Sequence, residues 1–256
     1  MKRILVLLWV LLCFASGTVM AALPPKALNN AGITLPPGAR LPLNVGANDA
    51  SGQHRAFGDL LAGRPAFVIF ADYTCKNLCG PALVLLSSAL AQSGISPTAY
   101  RLIVIGIDTK DTAGDAQRMA AAQIQMPLRD SAILLLPDAR NLAATTNALG
   151  FRYVYDRSID QFAHPEIVYA LAPDGRVLRL LSPLTLTAGD IRNAFSEPAE
   201  PPQTLYGRFR VLCYRFELLT GAHTATIQLL LKIASGLTIA CMAGAFLVMS
   251  KRGRRA

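Results

Sequence analysis

The sequence predicts an α/β layer fold built on a mixed sheet, and three observations carry that prediction. Apolar runs of strand length, at residues 66–70, 102–107 and 132–136, alternate with longer segments of helical character. Two further strand-like runs, 167–171 and 176–181, flank Pro173-Asp174-Gly175, a hairpin turn. A last helix is expected over 186–195. Strands linked through helices run parallel and a hairpin runs antiparallel, so the sheet is mixed.

The elements follow in order. Residues 23–45 hold five prolines and no long apolar period, which reads as an extended lead-in lying on the domain. His54 falls in a turn-rich stretch, Ser51-Gly52-Gln53-His54, and is expected to be exposed. After the 66–70 strand comes a loop, then a strongly apolar helix over 79–91 with Pro81 tolerated in its first turn. Thr112 and Asp115 form a capping box that starts a helix running to about Gln125. Residues 140–149 form a helix ended by Gly150, and 151–155 alternate weakly. Asp108 and Asp111 read as turn and cap residues. The domain spans 46–200, with Pro198 to Pro202 marking its end, and residues 201–223 link it onward.

Both ends of the chain carry membrane signals. Residues 1–22 have a short basic start, an apolar run and the small-residue site Val19-Met20-Ala21, the layout of a secretory signal peptide. Cys13 leaves with it. Residues 233–249 carry no charge, and the apolar stretch extends across Lys232, giving a C-terminal transmembrane helix over 224–249. Lys251, Arg252, Arg254 and Arg255 follow, so the positive-inside rule puts the tail 250–256 in the cytoplasm and the folded domain on the periplasmic side. The formal charge of +9 is made by these ends, because the interior has 18 basic residues against 16 acidic ones. That balance, without aromatics interleaved with basic residues, excludes nucleic acid as a partner. Dinucleotide, P-loop, zincin and serine-hydrolase motifs are all missing.

Chemistry concentrates at Cys75-Lys76-Asn77-Leu78-Cys79, between the first buried strand and its helix. Residues four apart share a helix face, so the two sulfurs can join as a disulfide or turn toward one metal ion. The helix N-terminus and Lys76 favour thiolate, the form that binds metal and exchanges disulfides. A small structural disulfide is the plainer alternative in an oxidising compartment. His164, before Pro165 and the 167–171 strand, enters the sheet beside the loop that holds the cysteines. Two thiolates and an imidazole suit Cu(I), whereas zinc would want a fourth ligand. Cys213 has no sequence neighbour, Cys241 lies in the expected span, and His223 lies at its mouth.

These residues resemble the Sco/SenC family, membrane-anchored thioredoxin-like proteins that serve copper-site assembly in cytochrome c oxidase. The likeness runs through Phe70-Ala71-Asp72-Tyr73-Thr74-Cys75-Lys76-Asn77-Leu78-Cys79, Ile107-Asp108-Thr109-Lys110-Asp111-Thr112, Phe162-Ala163-His164 and Tyr169-Ala170-Leu171-Ala172-Pro173-Asp174-Gly175-Arg176. It covers roughly residues 31–250 and is similar to a bacterial branch with a C-terminal anchor. The resemblance implies a thioredoxin-like fold with a mixed central sheet flanked by helices. It also implies copper as the bound metal, Cys75, Cys79 and His164 as its ligands, and the copper-bearing oxidase subunit as partner. One departure stands out: the family usually has Pro directly after the first Cys, and here that position is Lys76.

The first reading is therefore a membrane-anchored copper chaperone, a metallochaperone rather than an enzyme. The alternatives are a thiol–disulfide reductase acting on partner proteins such as the oxidase subunit, with Cys75 and Cys79 as the redox-active pair, and a tethered binding domain with a structural disulfide. A thioredoxin-like fold also predicts that Pro165 is cis, or at least fixes His164 over the cysteines.

Overall fold

The computed structural model describes residues 30–75, 79–157, 160–196 and 232–239, together with Met242. Its centre is a seven-stranded sheet in the order β11-β10-β4-β5-β6-β2-β3. The strands are β2 (Gly46–Asp49), β3 (His54–Ala56), β4 (Ala66–Ala71), β5 (Arg101–Gly106), β6 (Ala132–Leu136), β10 (Val168–Leu171) and β11 (Val177–Leu181). β4, β5 and β6 run parallel, while β10, β11, β2 and β3 join antiparallel at the two sides. The mixed sheet is thus as the sequence predicts.

β4 explains why its run is continuously apolar. Successive side chains of a strand point to opposite faces, and both faces here are covered. Phe67 and Ile69 enter one core with Leu83, Leu86 and Leu90, from helix α2 (Cys79–Gln92). Val68 and Phe70 enter the other with Leu60, Leu61 and Leu142, from α1 (Phe57–Leu61) and the helix Ala139–Ala148. The first core also holds Met119 of α3 (Ala113–Gln123) and Ile191 of the helix Ala188–Arg192. Sheet plus two helical layers match a thioredoxin-like fold.

The expected helix starts hold. Thr112 and Asp115 form the capping box: Asp115 N donates to Thr112 Oγ1 at 3.3 Å, and Thr112 N donates to Asp115 Oδ2 at 2.8 Å. The last helix is shorter than expected, because Thr187 caps it with Asp190 and it ends at Arg192. Two elements appear where no apolar period announces them. β2 and β3 are a hairpin at the sheet margin, with His54 exposed as expected and its Nδ1 3.3 Å from Asn48 Oδ1.

The lead-in does lie on the domain. β1 (Gly32–Ile33) pairs with β7 (Phe151–Arg152), and Thr34 N donates to Gly150 O at 2.8 Å. Arg152 hydrogen-bonds Thr34 from the other side, and Leu41 is wholly buried. A second short ladder joins β8 (Val154–Asp156) to β9 (Gln161–Ala163), which leads straight into His164.

No helix among the described residues is long and apolar enough to cross a membrane. The expected span over 224–249 falls mostly outside them; residues 232–239 are helical. The signal peptide, Lys76, Cys213, His223, Cys241 and the basic tail also lie outside the described residues.

Candidate metal centre

The loop after β4 carries Cys75, and two carboxylates shape it. Asp72 is buried and accepts from Thr74 N at 2.9 Å and Thr74 Oγ1 at 3.0 Å, an Asx-type turn. Cys75 N donates to Asp72 O at 3.1 Å, which closes the turn. Burial, with the nearby Cys75 and Asp108 charges, holds the Asp72 carboxyl above the usual carboxylate range, against the lowering pull of the Thr74 donors. Tyr73 anchors the loop from beneath. Its hydroxyl lies 2.9 Å from Val104 O and 3.0 Å from Leu135 O as donor, and accepts from Leu135 N at 3.1 Å.

Asp111 does more than the sequence reading gave it. Its N–H closes the expected turn on Asp108 O at 3.2 Å, and its Oδ2 reaches across to accept the Tyr73 N–H at 2.8 Å, binding the loop after β5 to the cysteine loop. Asp108 does behave as expected, accepting from Lys110 N at 2.9 Å. Burial pushes the Asp111 carboxyl up to about 6; the Tyr73 N–H opposes this, and the Asp72, Asp108 and Asp115 charges add to it. The folded protein therefore holds this proton more tightly than the unfolded chain, whose carboxyl keeps a value near 3.8. The associated stability is fully present below about pH 4 and is lost as pH rises toward about 6. Asp111→Asn keeps a carbonyl oxygen for Tyr73 but does not titrate. The stability of the natural protein relative to Asp111→Asn is expected to fall across that window in urea unfolding, and a difference flat with pH would contradict this account.

The second half of the site comes from the sheet. Val168 of β10 lies opposite Ile69 of β4 in antiparallel register, so the residues before Val168 run past the C-terminal end of β4. His164 is fully buried there, with its ring 6.0 Å from that of Phe151. Its Nε2 is 3.4 Å from Cys79 Sγ, joining residues 85 apart in sequence. Its Nδ1 is 3.2 Å from Pro165 O. A carbonyl only accepts, so this contact is made by the tautomer with its proton on Nδ1, which turns the Nε2 lone pair toward Cys79. That is the orientation a metal-ligating imidazole takes.

Pro165 does not act through a cis bond. Among the described residues the one cis peptide precedes Pro127, so the peptide between His164 and Pro165 is trans. Pro165 instead holds the ring by its carbonyl oxygen. Cys79 opens α2 and is buried, while Cys75 is half-buried against the same core.

Sequence reasoning missed Glu166. Its side chain is buried, with Oε1 3.7 Å from His164 Nε2. Cys79, His164 and Glu166 form a group whose ligand atoms all lie within 4.8 Å of one another, a group that can hold a metal ion. The available signal was a lone carboxylate at the mouth of an otherwise apolar strand, Pro165-Glu166-Ile167-Val168.

No protein-family model matches the chain, and no curated protein matches it either. Among solved structures it is similar to an Aquifex aeolicus VF5 protein named for electron transfer, with TM-score 0.52 and 19% identity over 63% of this chain and 92% of that one. A second protein of that organism, named for electron transport, gives TM-score 0.50 and 18% identity over 63% and 96%. The copper-bound structure of Bradyrhizobium japonicum ScoI follows at TM-score 0.48 and 19% identity over 59% and 96%. Structures of the Sco/SenC family are thus among those this chain is similar to, and the likeness that the two Aquifex proteins establish is one of fold.

Proposed function

We infer that this chain is a copper carrier that loads the copper centre of a respiratory cytochrome c oxidase, with Cu(I) as its cargo and Cys75, Cys79 and His164 as its ligands. The observation that carries the reading is the 3.4 Å approach of His164 Nε2 to Cys79 Sγ in a buried pocket. Soft thiolates with one imidazole suit Cu(I), and the resemblance of the Cys75 to Cys79 motif to the Sco/SenC family supports the choice of metal. The domain organisation follows the sequence. An exported domain over 46–200 is tethered through 201–223 to a span over 224–249, on the periplasmic side, where an oxidase copper subunit receives its metal.

A reductase role is the second reading, favoured by one asymmetry: Cys75 is half-buried and Cys79 buried. An accessible thiol backed by a buried one is the arrangement a dithiol reductant uses to attack and then resolve a mixed disulfide. The test is a titration of the reduced full chain with Cu(I) against a competing chelator. One tightly held Cu(I) per chain is expected, lost in Cys75→Ser. Unchanged stoichiometry in that variant would end the carrier reading. Retained disulfide exchange in His164→Ala together with absent copper binding in the natural chain would favour the reductase.

A further inference from the structure

The cargo reading needs three ligands, yet a fourth donor stands in the same pocket. Glu166 lies two residues past His164 and projects its carboxylate toward the same imidazole nitrogen that faces Cys79. The spacings come close to those of a coordination shell. With metal–sulfur bonds of about 2.3 Å and metal–nitrogen or –oxygen bonds of about 2.0–2.2 Å, neighbouring donors of a tetrahedral ion stand about 3.4–3.6 Å apart. Here sulfur to nitrogen is 3.4 Å, at the short end of that span, and nitrogen to oxygen is 3.7 Å, just beyond it, so a small inward shift of the carboxylate meets the spacing. All three side chains are buried, and their donor atoms all lie within 4.8 Å of one another.

We propose that the Glu166 carboxylate is an oxygen ligand of this site, and that Cys79, His164 and Glu166, with Cys75 closing the shell, hold a divalent ion of borderline softness such as Zn(II), Co(II) or Cu(II). This deepens the metal-site reading above and rests on it. A carboxylate is a hard donor, which adds little to a Cu(I) already held by two thiolates and an imidazole but matches a divalent cation. Glu166 is then the residue that sets which charge state the pocket retains.

The test titrates the reduced full chain separately with Co(II) alone and with Cu(I) alone, in the natural protein, Glu166→Gln and Glu166→Asp. The natural protein is expected to give the visible bands of four-coordinate cobalt. Glu166→Gln should lower Co(II) affinity by at least about tenfold and alter those bands, with Cu(I) affinity unchanged. Glu166→Asp, which keeps a carboxylate on a shorter stem, should restore part of the affinity. Identical Co(II) affinity and bands in the natural protein and Glu166→Gln would overturn the ligand role, while Cu(I) binding by the natural chain would leave the carrier reading standing. Equal losses for both metals, with no restoration by Glu166→Asp, would also overturn it, because the residue then serves only the fold. A natural chain that takes up neither metal would overturn both readings. Should Glu166→Gln lose its circular dichroism signature, Glu166→Asp decides: shifted cobalt bands support ligation and unshifted bands refute it.

Discussion

Cys79→Ser is expected to lower Cu(I) affinity by more than about 100-fold, well beyond the losses that follow from disturbing residues around a metal. The change removes a soft donor from the buried side of the pocket, and a hydroxyl does not replace a thiolate for Cu(I). Its cost in stability is expected to be small, since serine has cysteine's shape and His164 Nε2, at 3.4 Å from the sulfur position, offers the hydroxyl an acceptor. His164→Ala shows the opposite balance. It deletes a wholly buried ring packed near Phe151 and leaves a cavity, at a cost of about 3 kcal/mol. Copper remains attached to two thiolates, so binding weakens without being abolished. His164→Phe separates the two effects: it refills the cavity yet supplies no donor. Both histidine variants should lose the same factor in Cu(I) affinity while differing in urea midpoint. If affinity instead follows stability across the three variants, the imidazole is a packing residue and the ligand set is wrong.

The second large effect is expected at Gly150, where the lead-in docks on the domain. Its φ of +62° is left-handed, and a Cβ there would stand 1.9 Å from Thr34 O. The left-handed conformation alone costs a non-glycine residue about 1–2 kcal/mol. The clash adds more, because the obstructing atom is backbone and belongs to Thr34, the residue just past β1 whose own N–H bonds Gly150 O. We expect Gly150→Ala to cost about 3 kcal/mol in all, a fall in Tm of about 6–12 °C. The lead-in should come away from β7. Gly38→Ala is the control: φ is +67° but nothing lies within 4 Å of the added carbon. It should show the conformational cost alone. Equal losses at the two positions would mean that the docking of the lead-in contributes nothing.

How much of this was readable follows from where each residue gets its neighbours. β4 and β5 are buried on both faces and β6 is half-buried, so their runs are unbroken and visible in a short window. β2 reads Gly-Ala-Asn-Asp and β3 reads His-Arg-Ala; as a hairpin at the sheet margin they are set by pairing to β6, which no local pattern encodes. The cysteine pair was legible from spacing, and the place of His164 from strand order. Asp111 and Glu166 were not, because each takes its meaning from a partner on another element: Asp111 from the N–H of Tyr73, Glu166 from an imidazole turned by the Pro165 carbonyl. The same holds for Pro165, whose influence runs through an oxygen rather than through its own peptide isomer.

The uneven burial of the pocket also fixes an order of events. Cys79, His164 and Glu166 are sealed in the domain, and Cys75 alone of the four keeps part of its surface in solvent. For an ion held by this set, ligand exchange with another protein begins at Cys75, since an incoming thiolate has no line of approach to the inner donors. The inner bonds are released only after that first swap, through a shared intermediate in which donor and acceptor proteins both grip the metal. For such an ion entry and exit would use one door, and transfer to an acceptor would be governed by docking geometry at that door. A small chelator strong enough to win at equilibrium would still be slow, and an acceptor of modest affinity with a well-placed thiol would be fast.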